Sequence, residues 1–196
     1  EYANWASIPV INALTDFEHP CQALADFLTI QESFGDLKGK TITYIGDGNN
    51  VANSLMICGA LLGVNVRITT PKGFEPDSSM LEKASSFNHS GARIEISNDP
   101  LSSLKGAQAI YTDVWVSMGQ EEEKEKRLEA FKGFCLNEKL LSHAENDAIV
   151  LHCLPAHRGE EISEEVLEGK TSRVFDQAEN RLHIQQAVLA ALLGGV

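Results

Sequence analysis

The chain has 196 residues, of which 43% are hydrophobic and 22% charged, and its 28 acidic and 16 basic side chains give a formal net charge of −12. This composition is typical of a globular protein with one substantial core. The acidic excess speaks against a duplex-binding surface, which needs clustered lysine and arginine. The longest apolar runs, Leu55–Val64 and Ala187–Val196, are about half as long as the roughly 20 residues of a membrane span. We therefore expect neither a nucleic-acid partner nor a membrane partner.

The chain begins with Glu1 rather than Met and no basic and apolar leader follows, so we expect an internal piece of a longer protein without a signal peptide. Its cysteines are widely separated and form no Cys-x-x-Cys pair: Cys21, Cys58, Cys135 and Cys153. This spacing favours free thiols in a reducing compartment over a disulfide framework or a zinc site. We expect a cytoplasmic location and no metal.

Short β-branched runs alternate with helical patterns along the chain. In chain order the predicted elements are a helix over Pro20–Phe34, a strand over Thr41–Gly46, a helix over Val51–Leu62, a strand over Val64–Thr70, a helix over Ser78–Asn88, a strand over Arg93–Ser97, a short helix over Ser102–Lys105, a strand over Ala109–Val114, helices over Glu121–Phe131 and Asn137–His143, a strand over Ala148–Cys153 and a last helix over Ala178–Leu193. The strands are nearly all apolar in their centres, as strands covered on both faces are. The alternation predicts an α/β fold, a three-layer Rossmann-like domain with a five-stranded parallel sheet and helices on both faces.

An open parallel sheet binds ligands beyond the carboxyl ends of its strands, where the strand order reverses. With the order 3-2-1-4-5, the ends of strands one, four and five face one cleft. The segments that follow these strands are polar: Gly46–Asn50, Asp113–Gly119 and His152–Gly159. We therefore expect the ligand site at these three strand exits.

Gly46-x-Gly48 after the first strand is compatible with dinucleotide binding, and so with an NAD-dependent oxidoreductase. This function is disfavoured because Val51 stands at the third glycine position of the motif and the second strand ends without a carboxylate for a ribose. The amides of Asn49 and Asn50 suit a small polar ligand at a helix N terminus, and they equally suit plain helix capping.

The other two exits carry side chains that suit an amine ligand. Asp113, Ser117 and Met118 offer a carboxylate, a hydroxyl and a thioether, which together could hold an ammonium group and an aliphatic stem. Helix capping is the alternative role for Asp113. Cys153 could be a nucleophile, a base or a buried filler, and its neighbour His152 is expected to point to the opposite face of the strand.

The two terminal helices add further polar candidates. His19 and Gln22 are three residues apart at the start of the first predicted helix, where they can offer donors and an acceptor to a carbonyl or amide ligand, or simply cap the helix. Arg181 follows Glu179 near the predicted start of the last helix, where the helix dipole disfavours a cation. We interpret Arg181 as directed at an anionic ligand or partner.

Five segments, in this order, resemble the C-terminal, amino-acid-binding half of the ornithine carbamoyltransferase family: HPCQALAD at His19–Asp26, GDGNN at Gly46–Asn50, DVWVSMGQE at Asp113–Glu121, HCLPAHRGEE at His152–Glu161 and FDQAENR at Phe175–Arg181. The sister aspartate carbamoyltransferases share the His-Pro-x-Gln element and the fold but lack the Ser-Met-Gly and His-Cys-Leu-Pro elements. The resemblance implies transfer of a carbamoyl group from carbamoyl phosphate to the δ-amine of L-ornithine, which gives citrulline and phosphate, with no metal or organic cofactor.

The resemblance also implies roles for individual residues. It assigns Asn50, Asp113, Ser117 and Met118 to ornithine, with Asn49 as the alternative amide, His19 and Gln22 to the carbamoyl moiety, and Cys153, Leu154 and Arg181 to the junction of the two substrates. Cys153 is either a proton acceptor or a group that positions ornithine. Arg181 and His19 would stabilise negative charge on the carbamoyl oxygen in a tetrahedral intermediate.

Members of that family carry a Ser-x-Arg-Thr-Arg phosphate-binding loop in an N-terminal domain, and this sequence has no such loop. We therefore expect residues 1–196 to be a single ornithine-binding domain, inactive alone, whose first and last helices pack on the carbamoyl-phosphate domain. The resemblance implies a homotrimer or larger assembly and is compatible with arginine biosynthesis and with catabolism. Two alternatives stay open: carbamoyl transfer to putrescine or an acylated ornithine, and a non-catalytic amino-acid-binding module.

Overall fold

A computed structural model describes residues 1–116 and 121–194. The helices are α1 (Pro20–Phe34), α2 (Asn50–Leu62), α3 (Ser78–Ser86), α4 (Pro100–Leu104), α5 (Lys124–Ala130), α6 (Glu138–Leu141), α7 (Glu164–Leu167) and α8 (Val174–Leu193). The strands are β1 (Thr41–Ile45), β2 (Asn65–Thr69), β3 (Ile94–Ser97), β4 (Ala109–Thr112) and β5 (Ile149–His152). Two 3₁₀ turns, Tyr2–Asn4 and Glu121–Glu123, complete the described elements.

The five strands form one parallel sheet in the order β3-β2-β1-β4-β5, which confirms the predicted α/β class and is the strand order considered above. Successive side chains of a strand enter opposite layers of the core. Tyr111 of β4 and Leu151 of β5 pack with α1, α2 and α3, whereas Ile110 and Val150 pack with α4, α6 and α7. The helices therefore cover both faces of the sheet, and the carboxyl ends of β1, β4 and β5 lie side by side.

Helices α1 and α8 pack against each other although they lie at opposite ends of the chain. Most of α1 is buried, but α8 buries only Val174, Gln177 and Asn180 among its described side chains. Its other side carries exposed apolar residues, among them Phe175, Leu182, Leu189, Leu192 and Leu193. The outer side of α8 thus exposes large apolar side chains beside charged ones such as Asp176 and Glu179, and its inner face is partly polar.

Most element boundaries differ from prediction by one or two residues, the short helix α7 lies outside the predicted elements, and three further differences are larger. Helix α8 begins four residues earlier than expected, because Thr171 and Ser172 run beside β5 and the N–H of Arg173 donates to the carbonyl of Val150, which places Val174 in the core. The predicted helix over Glu121–Phe131 is a 3₁₀ turn followed by α5. Strand β3 is an edge strand with half-exposed side chains rather than a fully covered one.

The segment before α1 is mostly exposed, but its last residues are attached to α2. The side-chain amide of Asn50 donates to the carbonyl of Thr15 at 2.8 Å, and that of Asn53 donates to the carbonyl of Phe17 at 3.0 Å. These bonds place the start of α1 next to the exit of β1. None of the helices in the described part of the chain is both long enough and apolar enough to cross a membrane.

Gly59 allows α2 to lie directly on the sheet. A Cβ atom at this position would lie 2.3 Å from Cγ2 of Val66 and 3.0 Å from the carbonyl oxygen of Val64. We expect Gly59→Ala to lower the free energy of unfolding by about 1–3 kcal/mol, because overpacking outweighs the better helix propensity of alanine. Urea unfolding measures this loss, with the exposed Leu61→Ala of the same helix as the control. An unchanged or higher stability of Gly59→Ala would contradict this packing.

Candidate active site

Three strand exits meet at one carboxylate. Nδ2 of Asn49, which follows β1, donates to Oδ2 of Asp113 at 2.8 Å. The thiol of Cys153, which follows β5, donates to Oδ1 of Asp113 at 2.9 Å. Asp113 itself follows β4 and is only 5% exposed. The predicted meeting of the first, fourth and fifth strand exits is therefore confirmed in the geometry.

Asn49 is held rigidly by its role as the N-cap of α2. Its Oδ1 accepts hydrogen bonds from the N–H groups of Val51 and Ala52 at 3.0 and 3.2 Å, and from the hydroxyl of the buried Tyr44 at 3.2 Å. Because the oxygen is occupied by these donors, the amide nitrogen must face the other way. The helix cap thus directs the Asn49 NH₂ group at Asp113.

The thiol of Cys153 is a hydrogen-bond donor in this site. Burial raises the pKa of Cys153 well above its usual range, and the negative charge of Asp113 and the bond to it raise that pKa further. The thiol therefore stays protonated near neutral pH. A protonated thiol is a poor nucleophile and a poor base, so this geometry favours a positioning role over covalent catalysis.

His152 supports the turn that follows Cys153. Its Nδ1 accepts from the N–H of Leu154 at 2.9 Å, so Nε2 carries the proton and donates to Oε1 of Glu161 at 3.1 Å. The same oxygen accepts from the N–H of His157 at 2.5 Å. Leu154 has a φ of +57°, a left-handed conformation that costs a non-glycine residue about 1–2 kcal/mol. The buried His152–Glu161 pair holds this turn. Both ring nitrogens of His152 bond to groups other than the Cys153 thiol, although one of them lies within 4.8 Å of its sulfur.

His19 is the N-cap of α1 and lies beside the charged groups of the site. Its N–H donates to Oγ of Ser54 at 2.8 Å, and its Nδ1 donates to the carbonyl of Ala13 at 3.0 Å. Desolvation and, secondarily, the charge of Arg181 lower the pKa of His19. A neutral ring with its proton on Nδ1 presents Nε2 as a hydrogen-bond acceptor.

Gln22 and Arg181 join α1 to α8. Nη1 of Arg181 donates to Oε1 of Gln22 at 2.6 Å. Gln185, when its amide oxygen is turned toward the guanidinium, accepts from Nη2 and Nε of Arg181 at 2.9 and 3.1 Å. The interpretation that Arg181 stands at the start of the last helix is wrong, because that helix begins at Val174 and Arg181 lies two turns further along. The guanidinium is held by two glutamine amides rather than by the helix end.

The remaining predicted residues are less closely connected. The side-chain amide of Asn50 donates to the N-terminal segment and not to Asp113. Leu154 is partly exposed next to Cys153. Ser117 and Met118 lie outside the described residues. Of the two candidate amides, Asn49 is therefore the one that contacts Asp113.

A buried ion pair beside the site escaped the sequence analysis. Nη1 of Arg127 donates to Oδ2 of Asp47 at 2.7 Å, and each residue is 7% exposed. Burial raises the pKa of Asp47, and the charge of Arg127 partly offsets that increase. Arg127 also donates to the carbonyl of Trp115 and to the carboxylate of Glu123. It therefore connects the segment after β4 and the turn before α5 to the exit of β1. In the sequence, Arg127 is marked only by its i, i+4 spacing from Glu123, and the acidic run around Glu123 is typical of solvent-exposed helix surface.

In the part of the chain that the structure describes, two groups of side chains have the composition of cation ligands. Asp113, His152 and Cys153 each place a ligand atom within 4.8 Å of the others, as do His157, Glu160 and Glu161. In the first group a cation would have to displace a hydrogen bond of His152 and the thiol proton of Cys153. The hydrogen bonds on these residues therefore account for the first group without a metal.

This arrangement defines a doubly wound α/β domain with a buried, hydrogen-bonded carboxylate at its switch point. The model of the aspartate/ornithine carbamoyltransferase Asp/Orn binding domain matches residues 38–192, and the model of the carbamoyl-P binding domain of the same proteins matches residues 1–32. The chain belongs to the aspartate/ornithine carbamoyltransferase family.

Similar proteins carry the name ornithine carbamoyltransferase. One from Prochlorococcus marinus strain MIT 9313 is 67% identical over 196 residues, which are the whole of this chain and 62% of the relative. The crystal structure of the Gloeobacter violaceus enzyme matches with a TM-score of 0.91 and 52% identity over 98% of this chain and 65% of that one. The Pyrococcus furiosus enzyme matches with a TM-score of 0.94 and 52% identity over 99% and 62%. The chain thus spans less than two thirds of the length of these relatives.

Glu161 provides a test of the turn after Cys153. Replacing it with leucine removes the acceptor of both His152 Nε2–H and the His157 N–H, so we expect Glu161→Leu to lower the free energy of unfolding by about 2–4 kcal/mol. Glu161→Gln keeps a carbonyl oxygen and should lose less. Urea unfolding measures both changes. The matched control is Glu160→Leu, because the partly exposed Glu160 side chain makes, among residues 1–116 and 121–194, only a long ion pair with Lys124, at 3.7 Å. Equal losses for the two leucine variants would contradict the proposed support.

Proposed function

We propose that this chain forms the ornithine-binding part of an enzyme that transfers the carbamoyl group of carbamoyl phosphate to the δ-amine of L-ornithine and releases L-citrulline and phosphate. The observation that carries the proposal is the Asp113 carboxylate, fixed by Asn49 and Cys153 where the exits of β1, β4 and β5 meet. The names of relatives that are 65–67% identical over the whole chain support the same reaction.

Ornithine fits this site better than the alternative amines. Asp113 would pair with the α-ammonium, which an acylated ornithine lacks because acylation removes that charge. Asn50 at the N terminus of α2 offers a neutral donor to the α-carboxylate, which putrescine lacks. We also assign Ser117 and Met118 to ornithine, on the family resemblance of the segment that follows Asp113.

Cys153 and Leu154 would position the attacking amine rather than react with it. The Cys153 thiol donates to Asp113 and so fixes the carboxylate rotamer that receives the α-ammonium. The δ-amine must lose a proton before it attacks, and a thiol whose pKa is raised by burial does not supply a ready base. We therefore assign Cys153 the positioning role of the two that the sequence leaves open.

The carbamoyl group would lie between α1 and α8. Arg181 supplies a permanent positive charge for the oxygen of the tetrahedral intermediate. His19 could share that task only with a proton on Nε2, which its lowered pKa opposes, so Arg181 carries most of the charge stabilisation. Gln22, bonded to Arg181, would contact the carbamoyl group from α1.

We further propose that a carbamoyl-phosphate-binding domain covers α1 and the outer face of α8 and that this chain does not form citrulline alone. The exposed apolar side chains of α8, including Phe175 and Leu182, support this arrangement. The carbamoyl-P binding model matches residues 1–32, so most of α1 would itself belong to that domain and the rest of the domain would pack beside it. The family resemblance supports a homotrimer or larger assembly. The free thiols of the four cysteines support a location in the cytoplasm.

A chimera tests the reaction. This chain would replace the matching 62% of the Prochlorococcus marinus relative, and citrulline formation would be measured with ornithine, putrescine and N-acetylornithine. We expect activity with ornithine from the chimera and none from the chain alone. We expect Asp113→Asn to raise the KM for ornithine by roughly 10- to 100-fold, because a charge-assisted bond is lost.

The matched control is Asp99→Asn, because Asp99 follows β3 and caps α4 at 3.1 Å from the N–H of Leu101, a role that asparagine also fills. A chimera that prefers another amine, or one whose ornithine KM is unchanged by Asp113→Asn, would overturn the assignment. Citrulline formation by the chain alone at a rate near that of the chimera would overturn the proposed domain requirement.

The role of Cys153 is tested by two substitutions in the same chimera. Cys153→Ser keeps a donor for Oδ1 of Asp113, so we expect its ornithine KM to stay within about threefold of the parent. Cys153→Ala loses the donor and should raise that KM by about three- to tenfold. Cys135→Ala, at a half-exposed cysteine, serves as the control. If both Cys153 variants instead lose kcat to the same large extent with an unchanged KM, Cys153 is the proton acceptor.

A further inference from the structure

Asp26 is a fully buried carboxylate with no part in the chemistry described above. It lies in α1 and is 0% exposed. Its Oδ1 accepts from Nε2 of Gln22 at 2.7 Å and from Nε2 of Gln177 in α8 at 2.6 Å. Burial of a carboxylate costs free energy unless the group is hydrogen-bonded. Asp26 lies directly behind Gln22, a proposed substrate contact, which suggests a role for Asp26 in placing that side chain.

We propose that Asp26 is a positioning residue for carbamoyl transfer, because its Oδ1 fixes the side-chain amide of Gln22 with the oxygen directed at Arg181. This inference rests on the proposed function. A glutamine amide has a donor end and an acceptor end, and an acceptor such as Oδ1 can bind only the donor end. Oε1 of Gln22 therefore faces outward, where it accepts from Arg181 at 2.6 Å.

The same oxygen orients a second glutamine. Because Nε2 of Gln177 also donates to Oδ1 of Asp26, the oxygen of Gln177 is directed at β5, where it accepts from the N–H of His152 at 2.9 Å. His152 immediately precedes Cys153. One carboxylate oxygen thus links the Gln22 and Arg181 contact to the strand end that carries the thiol.

The second oxygen of Asp26 explains why this arrangement survives protonation. Oδ2 and the hydroxyl of Tyr111 are buried, and neither has a hydrogen-bond partner among the described residues. Burial raises the pKa of Asp26 to about 7, while the bonds from Gln22 and Gln177, the Tyr111 hydroxyl and the charge of Arg181 oppose that increase. A proton would go to Oδ2, which neither glutamine amide contacts, and Oδ1 would remain an acceptor for both amides. The orientation of Gln22 should therefore be the same on either side of pH 7.

The titratable and charged groups that face Asp26 come from four other elements. They are Tyr111 of β4, Arg181 of α8, Cys153 after β5 and Cys58 of α2. Of these, only Arg181 is charged near neutral pH, because burial raises the pKa values of Tyr111, Cys153 and Cys58. Asparagine at position 26 can present the same acceptor oxygen and an NH₂ group in place of a protonated Oδ2, so Asp26→Asn mimics the protonated state.

The first test is nuclear magnetic resonance of the 196-residue chain, which requires no activity. The Nε2 protons of Gln22 should be resolved and exchange slowly with water at pH 6 and at pH 8. Asp26→Asn should keep this protection, because asparagine still offers an acceptor oxygen to Gln22. The matched control Thr29→Val should also keep it: Thr29 is a buried residue one turn along α1 that bonds to Asn180 of α8 and not to Gln22. Asp26→Leu should lose it. Rapid exchange in the unmodified chain overturns the proposal even if Asp26→Leu fails to fold.

The second test measures kinetics in the chimera. We expect Asp26→Leu to lower kcat/KM for carbamoyl phosphate by about fivefold or more, while Asp26→Asn stays within about twofold of the parent. Thr29→Val should lose stability without this kinetic change. Equal kinetic losses for Asp26→Leu and Thr29→Val would overturn the positioning role. An inactive parent chimera would overturn the proposed function instead. The resonance experiment would still decide whether Asp26 orients Gln22, because it requires no activity.

Discussion

The hydrogen bonds that Asp113 accepts from Asn49 and Cys153 hold together the end of the sheet on which the site is built. Three loops of a parallel sheet have no backbone ladder beyond their strands, so side chains must fix their relative positions. A carboxylate with two oxygens can join its own loop to both neighbours at once. The negative charge of Asp113 is paired here with two neutral donors only, so a cationic ligand would supply the opposite charge.

Buried carboxylates recur behind the polar groups that face the site. Asp26 orients Gln22, Glu161 orients His152 and so the Leu154 turn, and Asp47 holds Arg127. The acceptor oxygens of Asp26 and Glu161 bind the N–H ends of Gln22 and His152 and so fix the orientation of both groups, whereas Asp47 anchors a guanidinium that has only donors. The outward-facing atoms of the site are thus set by hydrogen bonds one layer deeper in the protein. This is the expected cost of placing polar groups in a fixed geometry, since each buried oxygen needs its own partner.

The sheet and the three strand exits could be predicted because short apolar runs and polar turn segments are local signals. The deeper layer could not, because its bonds join residues far apart in the chain, as with Gln22 and Arg181, which are 159 positions apart. Arg127 follows an acidic run that looks solvated, and only the folded chain brings it to Asp47. Helix α8 begins before its periodic apolar pattern because pairing beside β5 sets Val174 in place. The helix and strand propensities of a segment do not depend on such tertiary contacts and therefore cannot predict them.

Helix α8 buries polar side chains toward α1 and exposes large apolar ones. Its inner face buries Gln177 and Asn180, which bond to Asp26 and Thr29 of α1, while Phe175 and Leu182 are exposed. A helix that only covered a core would turn these faces the other way. The polar inner face locks α8 to α1 in one register, because buried amides accept few alternative partners. The exposed apolar side chains of the outer face then support the proposed docking of a carbamoyl-phosphate-binding domain. Arg181, between the two faces, would stand where the two halves of the active site join.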